Sequence, residues 1–153
     1  MSPSFSSKNI WEVKSASTTT PKAVQEWKLH LVRILQMNNK TILYAEDDII
    51  IQKILGKFIS KKYPDTLIAS NGRDALSLFE ANKVDAVVTD LSMPVMSGFE
   101  LIRKIREQNT VTPIIVTTAY RDEAKQLDDA GVTILYKPID TKELMKSLEA
   151  AFA

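Results

Sequence analysis

From residue 41 onward the chain alternates, five times over, between a short run of β-type residues and a longer segment of helical periodicity. The runs fall at 41–45, 66–69, 85–89, 113–117 and 132–136, and the helical segments at 49–62, 73–82, 98–108, 121–130 and 141–152. Strands separated by helices and joined by connections of a few residues form right-handed crossovers, and hence a parallel sheet. Ala86-Val87-Val88 and Ile114-Ile115-Val116 are apolar at consecutive positions, so both faces of these strands must be covered. The pattern predicts a doubly wound α/β fold: five parallel strands with helices on both faces.

Signals inside the segments agree with this. Over 49–62, Ile51, Ile54, Leu55, Phe58 and Ile59 form an apolar stripe, while Lys53, Lys57 and Lys61 line another face at steps of four and read most simply as solvated. The last helix opens on Asp140 with Glu143 three residues later, a capping-box-like start, and offers Leu144, Leu148, Ala151 and Phe152 for burial. Asn71-Gly72 reads as the turn into the second helix.

A chain of 153 residues, 44% hydrophobic and 25% charged, has room for one domain with a real core. The absence of cysteine excludes disulfides and zinc-thiolate sites. No apolar stretch suits membrane insertion and the opening residues lack a secretory pattern, so a soluble, cytoplasmic protein is expected. Residues 1–36 carry five basic and two acidic groups, leaving 15 basic and 17 acidic for 37–153, a mildly acidic remainder with no footprint for direct DNA binding. Residues 1–20 are rich in Ser, Thr and Lys and are expected to be disordered. A short amphipathic helix is predicted over 22–36, where Val24, Trp27, Leu31, Ile34 and Leu35 recur opposite Gln25, Lys28 and Arg33. Met37, directly before the first strand, suggests that 1–36 is a dispensable extension and 37–153 the functional domain, although the amphipathic stretch also suits a docking helix.

Parallel strands deliver their C-terminal residues to one edge, where open α/β sheets hold ligands. That edge would gather Glu46 and Asp47 after the first strand, Asp90 after the third, Thr118 after the fourth and Lys137 after the fifth. Three carboxylates so close need a countercharge. With no histidine or cysteine beside them, hard oxygen donors favour Mg2+ over zinc or copper. A cation there would let an aspartate oxygen attack a phosphoryl group, with Lys137 as a second positive charge and Thr118 as a hydroxyl that senses the group. Taken singly, Lys137 reads equally well as a surface lysine and Thr118 as a strand-end capping hydroxyl; their joint placement favours the site. The single histidine, His30, lacks the helical bundle a phosphodonor needs, and the chain has no Walker motif, no GxGxxG and no nucleophile elbow.

Residues 38–153 resemble the receiver domain of two-component response regulators, including the single-domain chemotaxis type. The resemblance rests on Ile42-Leu43-Tyr44-Ala45-Glu46-Asp47-Asp48, on Asp85 through Glu100 with Asp90-Leu91-Ser92-Met93-Pro94 at its centre, on Pro113 through Ala119, and on Lys137-Pro138. It implies a flavodoxin-like strand order 2-1-3-4-5 and a module that accepts a phosphoryl group from a histidine kinase or phosphotransfer protein. By position it makes Asp90 the phosphoacceptor, Asp47 a direct Mg2+ ligand, Glu46 a partner acting through water, and the Ser92 backbone carbonyl a further ligand. Thr118 and Lys137 become the switch hydroxyl and the phosphoryl-binding amine, and the Lys137-Pro138 bond is expected to be cis. Output would pass to a downstream protein target through the face built from 121–130, 132–136 and 141–152, without catalysis beyond its own phosphorylation and dephosphorylation.

Two positions depart from the family pattern. Ile134 stands where the switch aromatic is expected, and Tyr136, on the same face of the strand, either contributes to output or packs on a neighbouring helix. Tyr120, two residues beyond Thr118, and Ser92 either govern water access to a phosphoaspartate or are exposed loop residues. The rival functions are a Mg2+-dependent phosphatase, which would want an acid where Ser92 stands, and a pseudo-receiver that binds partners without phosphorylation.

Overall fold

The computed structural model describes residues 19–128 and 130–153. The chain divides into two compact units, Met1–Leu35 and Gln36–Ala153. Helix α1 (Lys22–Asn38) begins in the first unit and contains no buried residue; Val24, Trp27, Leu31, Ile34 and Leu35 are exposed. The expected disorder of 1–20 falls, for 1–18, outside the described residues.

In the second unit, strands β1 (Ile42–Ala45), β2 (Thr66–Ala69), β3 (Ala86–Asp90), β4 (Ile114–Thr118) and β5 (Thr133–Tyr136) form one sheet in the order β2-β1-β3-β4-β5. Every pairing is parallel, as the alternation requires. Side chains alternate between two cores. Leu43, Val87, Ile114 and Val116 meet helices α3 (Gly72–Ala81) and α4 (Gly98–Gln108) through Ala75, Phe79, Leu101, Ile102 and Ile105. On the opposite face, Ile42, Tyr44, Val88, Ile115 and Leu135 meet α2 (Ile49–Lys62) and α6 (Thr141–Ala151) through Leu55, Ile59, Leu144 and Leu148. Each fully buried Val, Leu or Ile among them contributes about 1.5–3 kcal/mol.

Side-chain oxygens fix where the long helices begin. Asp48 accepts from the amides of Ile50 and Ile51, Asn71 from Asp74, Ser97 from Glu100 and Asp140 from Lys142. The first of these caps holds the segment after β1 to the start of α2, and so bears on the site.

Two expectations need correction. The helix predicted over 121–130 is only four residues of α-helix, α5 (Arg121–Ala124), followed by a 3-10 turn at Lys125–Leu127. Its N-cap, Tyr120, offers no side-chain acceptor, and the sequence ends in Asp128-Asp129, where acids oppose the helix dipole. The apolar stripe of α2 is also rotated: Gln52, Leu55, Gly56 and Ile59 are buried, while Ile54 and Phe58 are about half exposed. Gly56 lies on this buried face, where a Cβ would stand 3.1 Å from the end of the Ile68 side chain and 3.8 Å from Tyr44, so its absence eases the approach of the helix to the sheet.

Candidate functional site

β1, β3, β4 and β5 end on one edge of the sheet. Glu46 follows β1 fully buried, with its amide held by the Ala69 carbonyl at 3.1 Å. Asp90 closes β3 and is 6% exposed. Asp47 is exposed beside them, and carboxylate oxygens of Glu46, Asp47 and Asp90 lie within 4.8 Å of one another.

Lys137, one residue past β5, reaches into this cluster. Its Nζ lies 3.1 Å from Glu46 Oε2 and 3.2 Å from Asp90 Oδ2, with the side chain 19% exposed. The surface-lysine reading is thereby set aside. Burial alone would lower the Lys137 pKa, but the charges of Asp90 and Glu46 outweigh it and leave the ammonium held above its ordinary value. For Glu46 burial wins: its carboxyl is raised despite the hydrogen bonds from the Asp48 amide and Lys137.

The other Asp90 oxygen, Oδ1, accepts from the Leu91 amide at 2.8 Å, so both carboxylate oxygens are oriented by a donor. The turn after Asp90 needs two unusual residues. A Cβ at Gly98 would stand 2.1 Å from the Asp90 carbonyl oxygen, and the Gly98 amide donates to the Leu91 carbonyl, so only glycine lets α4 start this close to the acid. Val95 adopts φ +69°, and the Met96 amide donates across it to the Pro94 carbonyl at 2.7 Å, a tight and strained three-residue turn. Ser92 is exposed on this turn, in the chain position the resemblance requires of a carbonyl ligand.

Thr118 ends β4 with 1% exposure, and its hydroxyl accepts from the Tyr120 amide at 3.1 Å. Its carbonyl accepts from the Lys137 amide at 2.8 Å, tying the two strand ends together. The Lys137–Pro138 bond is cis. Ile134 is partly buried against the core shared with α3 and α4. Tyr136 is 38% exposed and lies under the Arg121 guanidinium, 4.4 Å from its ring centroid, while Tyr120 is 60% exposed.

The donor set suits Mg2+. It offers only oxygen, its three acids face one lysine, and exposed Asp47 leaves room for the waters this ion keeps. Sequence reasoning missed Gln52, Val95 and Arg121. Gln52 had a signal: with Leu55, Gly56 and Ile59 it completes one face of α2 at helical spacing.

The model of the response regulator receiver domain matches residues 42–149. The heme response regulator HssR of Staphylococcus saprophyticus is 34% identical over 114 residues, covering 72% of this chain and 50% of that protein. The autoinducer 1 sensor kinase/phosphatase LuxN of Vibrio campbellii is 32% identical over 96 residues, covering 61% of this chain and 11% of that protein. The chain thus spans half or less of the length of these relatives. Among solved structures, the chemotaxis response regulator CheY4 of Vibrio cholerae aligns with a TM-score of 0.68 at 27% identity, over 74% of this chain and 98% of that one.

Proposed function

The chain belongs to the response regulator receiver family, and from that premise we propose that Asp90 accepts a phosphoryl group from the phosphohistidine of a histidine kinase or phosphotransfer protein. An Asp90 carboxylate oxygen forms the new O–P bond as the P–N bond breaks, and the imidazole nitrogen leaves with the electron pair. The observation that carries this reading is the pairing of a nearly buried aspartate with Lys137 at the mouth of β3, beside two further acids.

Glu46, Asp47 and Asp90, with the Ser92 carbonyl, would hold Mg2+, which when bound offsets negative charge on the transferring oxygens. Lys137 supplies the positive charge this chain itself brings to those oxygens. Thr118 supplies a hydroxyl that can turn from the Tyr120 amide toward a phosphoryl oxygen. The phosphorylated form acts in the cytoplasm by protein contact with a downstream target, and residues 37–153 carry this function. Among the described residues no helix is long and apolar enough to cross a membrane.

Asp90→Asn keeps the shape and removes the nucleophile. Labelling of the full chain by acetyl phosphate should be Mg2+-dependent and hydroxylamine-sensitive, and should vanish in that variant. Undiminished labelling of Asp90→Asn moves the phosphoacceptor elsewhere. No labelling of the wild type favours the pseudo-receiver, and steady turnover of a phosphoester favours the phosphatase.

A further inference from the structure

Gln52 is a polar side chain on the buried face of a helix. It lies in the first turn of α2, level with Leu55, Gly56 and Ile59, and is 8% exposed. Its Nε2 donates to the Glu46 carbonyl at 2.7 Å and to Ser70 Oγ at 3.0 Å, with the Ala69 carbonyl farther off at 3.3 Å. An amide nitrogen has two hydrogens, so the two shorter contacts account for both. Ala69 O in any case already accepts the Glu46 amide at 3.1 Å.

The Glu46 carbonyl belongs to the peptide unit that also carries the Asp47 amide. Fixing that carbonyl fixes the plane from which the Asp47 side chain departs. The neighbours of Asp47 are already held. Glu46 is anchored through its own amide to β2, and Asp48 both caps α2 and donates its amide to Glu46 Oε1 at 3.1 Å. Asp47 alone has no side-chain hydrogen bond among the described residues, so its backbone sets its direction. The bond from Gln52 is the shortest one holding that backbone.

We propose that Gln52 is a positioning residue for the acid pair: by clamping the peptide unit between Glu46 and Asp47 it aims Asp47 at the ion shared with Asp90. This rests on the reading of the cluster as a Mg2+ site. Groups that orient a metal ligand typically govern affinity by 10–100-fold when removed, while the ligand itself stays in place.

The test uses the full chain with Gln52→Met, which keeps length and apolar bulk but has no donor, and Gln52→Asn, which keeps the amide but is one methylene too short. Calorimetric titration should show Mg2+ binding weakened about tenfold in both. The Mg2+ concentration for half-maximal acetyl phosphate labelling should rise by the same factor, while the rate at saturating Mg2+ stays near wild type. In metal-free protein the Glu46, Asp47 and Asp48 amide resonances should shift, and the Glu46 amide should exchange faster. Ser70→Ala leaves the bond to Glu46 intact and should keep Mg2+ affinity within about twofold. Lowered melting temperature with unchanged Mg2+ affinity in the Gln52 variants overturns the proposal, as does an equal loss in Ser70→Ala. If Gln52→Met does not fold, Gln52→Asn carries the comparison alone. Failure of the underlying reading looks different: the wild type itself then binds no Mg2+, and the proposal falls with it.

Discussion

Replacing Lys137 with Met removes the one cation that, among the described residues, pairs with Glu46 and Asp90. At an effective dielectric near 20, each ion pair at 3.1–3.2 Å is worth about 5 kcal/mol before desolvation is subtracted. Removing one partner of a buried pair typically costs about 3–5 kcal/mol, because the remaining charges stay buried without compensation. Proton uptake limits the loss. Burial already raises the Glu46 carboxyl, so the folded state holds that proton to higher pH than the unfolded chain does. The stabilisation this gives is present at acid pH and lost as pH rises through the folded value, and without Lys137 the dependence steepens. At neutral pH in EDTA, Lys137→Met should therefore lose about 3 kcal/mol, or about 10 °C of melting temperature for a domain of this size. Mg2+ should raise the variant's melting temperature by more than it raises the wild type's, since a divalent cation replaces the missing charge. Thermal unfolding by circular dichroism, with and without Mg2+ and over a pH series, reads all three effects. A variant melting within 2 °C of wild type in EDTA, or equal Mg2+ shifts in the two proteins, would falsify this account of the cluster.

Val95→Gly replaces a β-branched residue at φ +69° with the one residue that reaches positive φ without a Cβ clash; as Val95 is 72% exposed, little packing is lost. It should stabilise by about 1 kcal/mol in urea unfolding, and a loss would mean the turn is not strained. Tyr44→Phe removes a fully buried hydroxyl that has no hydrogen-bond partner among the described residues. Its stability should be unchanged or about 1 kcal/mol higher, whereas a drop beyond 1 kcal/mol would show that the hydroxyl is satisfied. On binding beryllofluoride, amide shifts should centre on Tyr120, Arg121 and Tyr136 rather than Ile134. Changes concentrated at Ile134 would restore the ordinary switch position.

The fold was legible because the signals that carry it are redundant. Ile114-Ile115-Val116 is apolar on both faces whichever residue is counted first, so the two-sided covering survives errors of one or two residues at every boundary, whereas the strand order was implied only by the family resemblance. The residues gathered at the site were legible for a related reason: Asp90 and Lys137 each end or follow a strand, and parallel pairing alone sends those ends to one edge. What failed were features decided by the third dimension. Periodicity placed Ile54 and Phe58 on the buried stripe, but tertiary packing turned the face carrying Gln52, Leu55, Gly56 and Ile59 toward the sheet instead. Helical spacing over 121–130 was real, yet a helix also needs its ends satisfied, and Tyr120 offers no cap.

That short helix bears on how a signal would leave the site. α5 starts at Arg121, and the amide of its N-cap residue Tyr120 is bonded to the hydroxyl of Thr118. The first residue of the helix covers Tyr136, and the residue after Tyr136 is Lys137, which touches both Glu46 and Asp90. Thr118, Tyr120, Arg121, Tyr136 and Lys137 thus close a ring through the Lys137 amide and the Thr118 carbonyl, and Lys137 joins that ring to the acid cluster. Ile134 stands outside it, packed into the core beside α3 and α4. An aliphatic side chain there has no hydroxyl to move between solvent and protein. On the proposed function, a hydroxyl redirected at Thr118 would act first on the amide that starts a four-residue helix with few bonds of its own, and a marginal element of this kind changes state at small cost. On the proposed function, the weakness of α5 and the absence of an aromatic at 134 would be two aspects of one arrangement, in which Arg121 over Tyr136 would stand in for a ring turning inward.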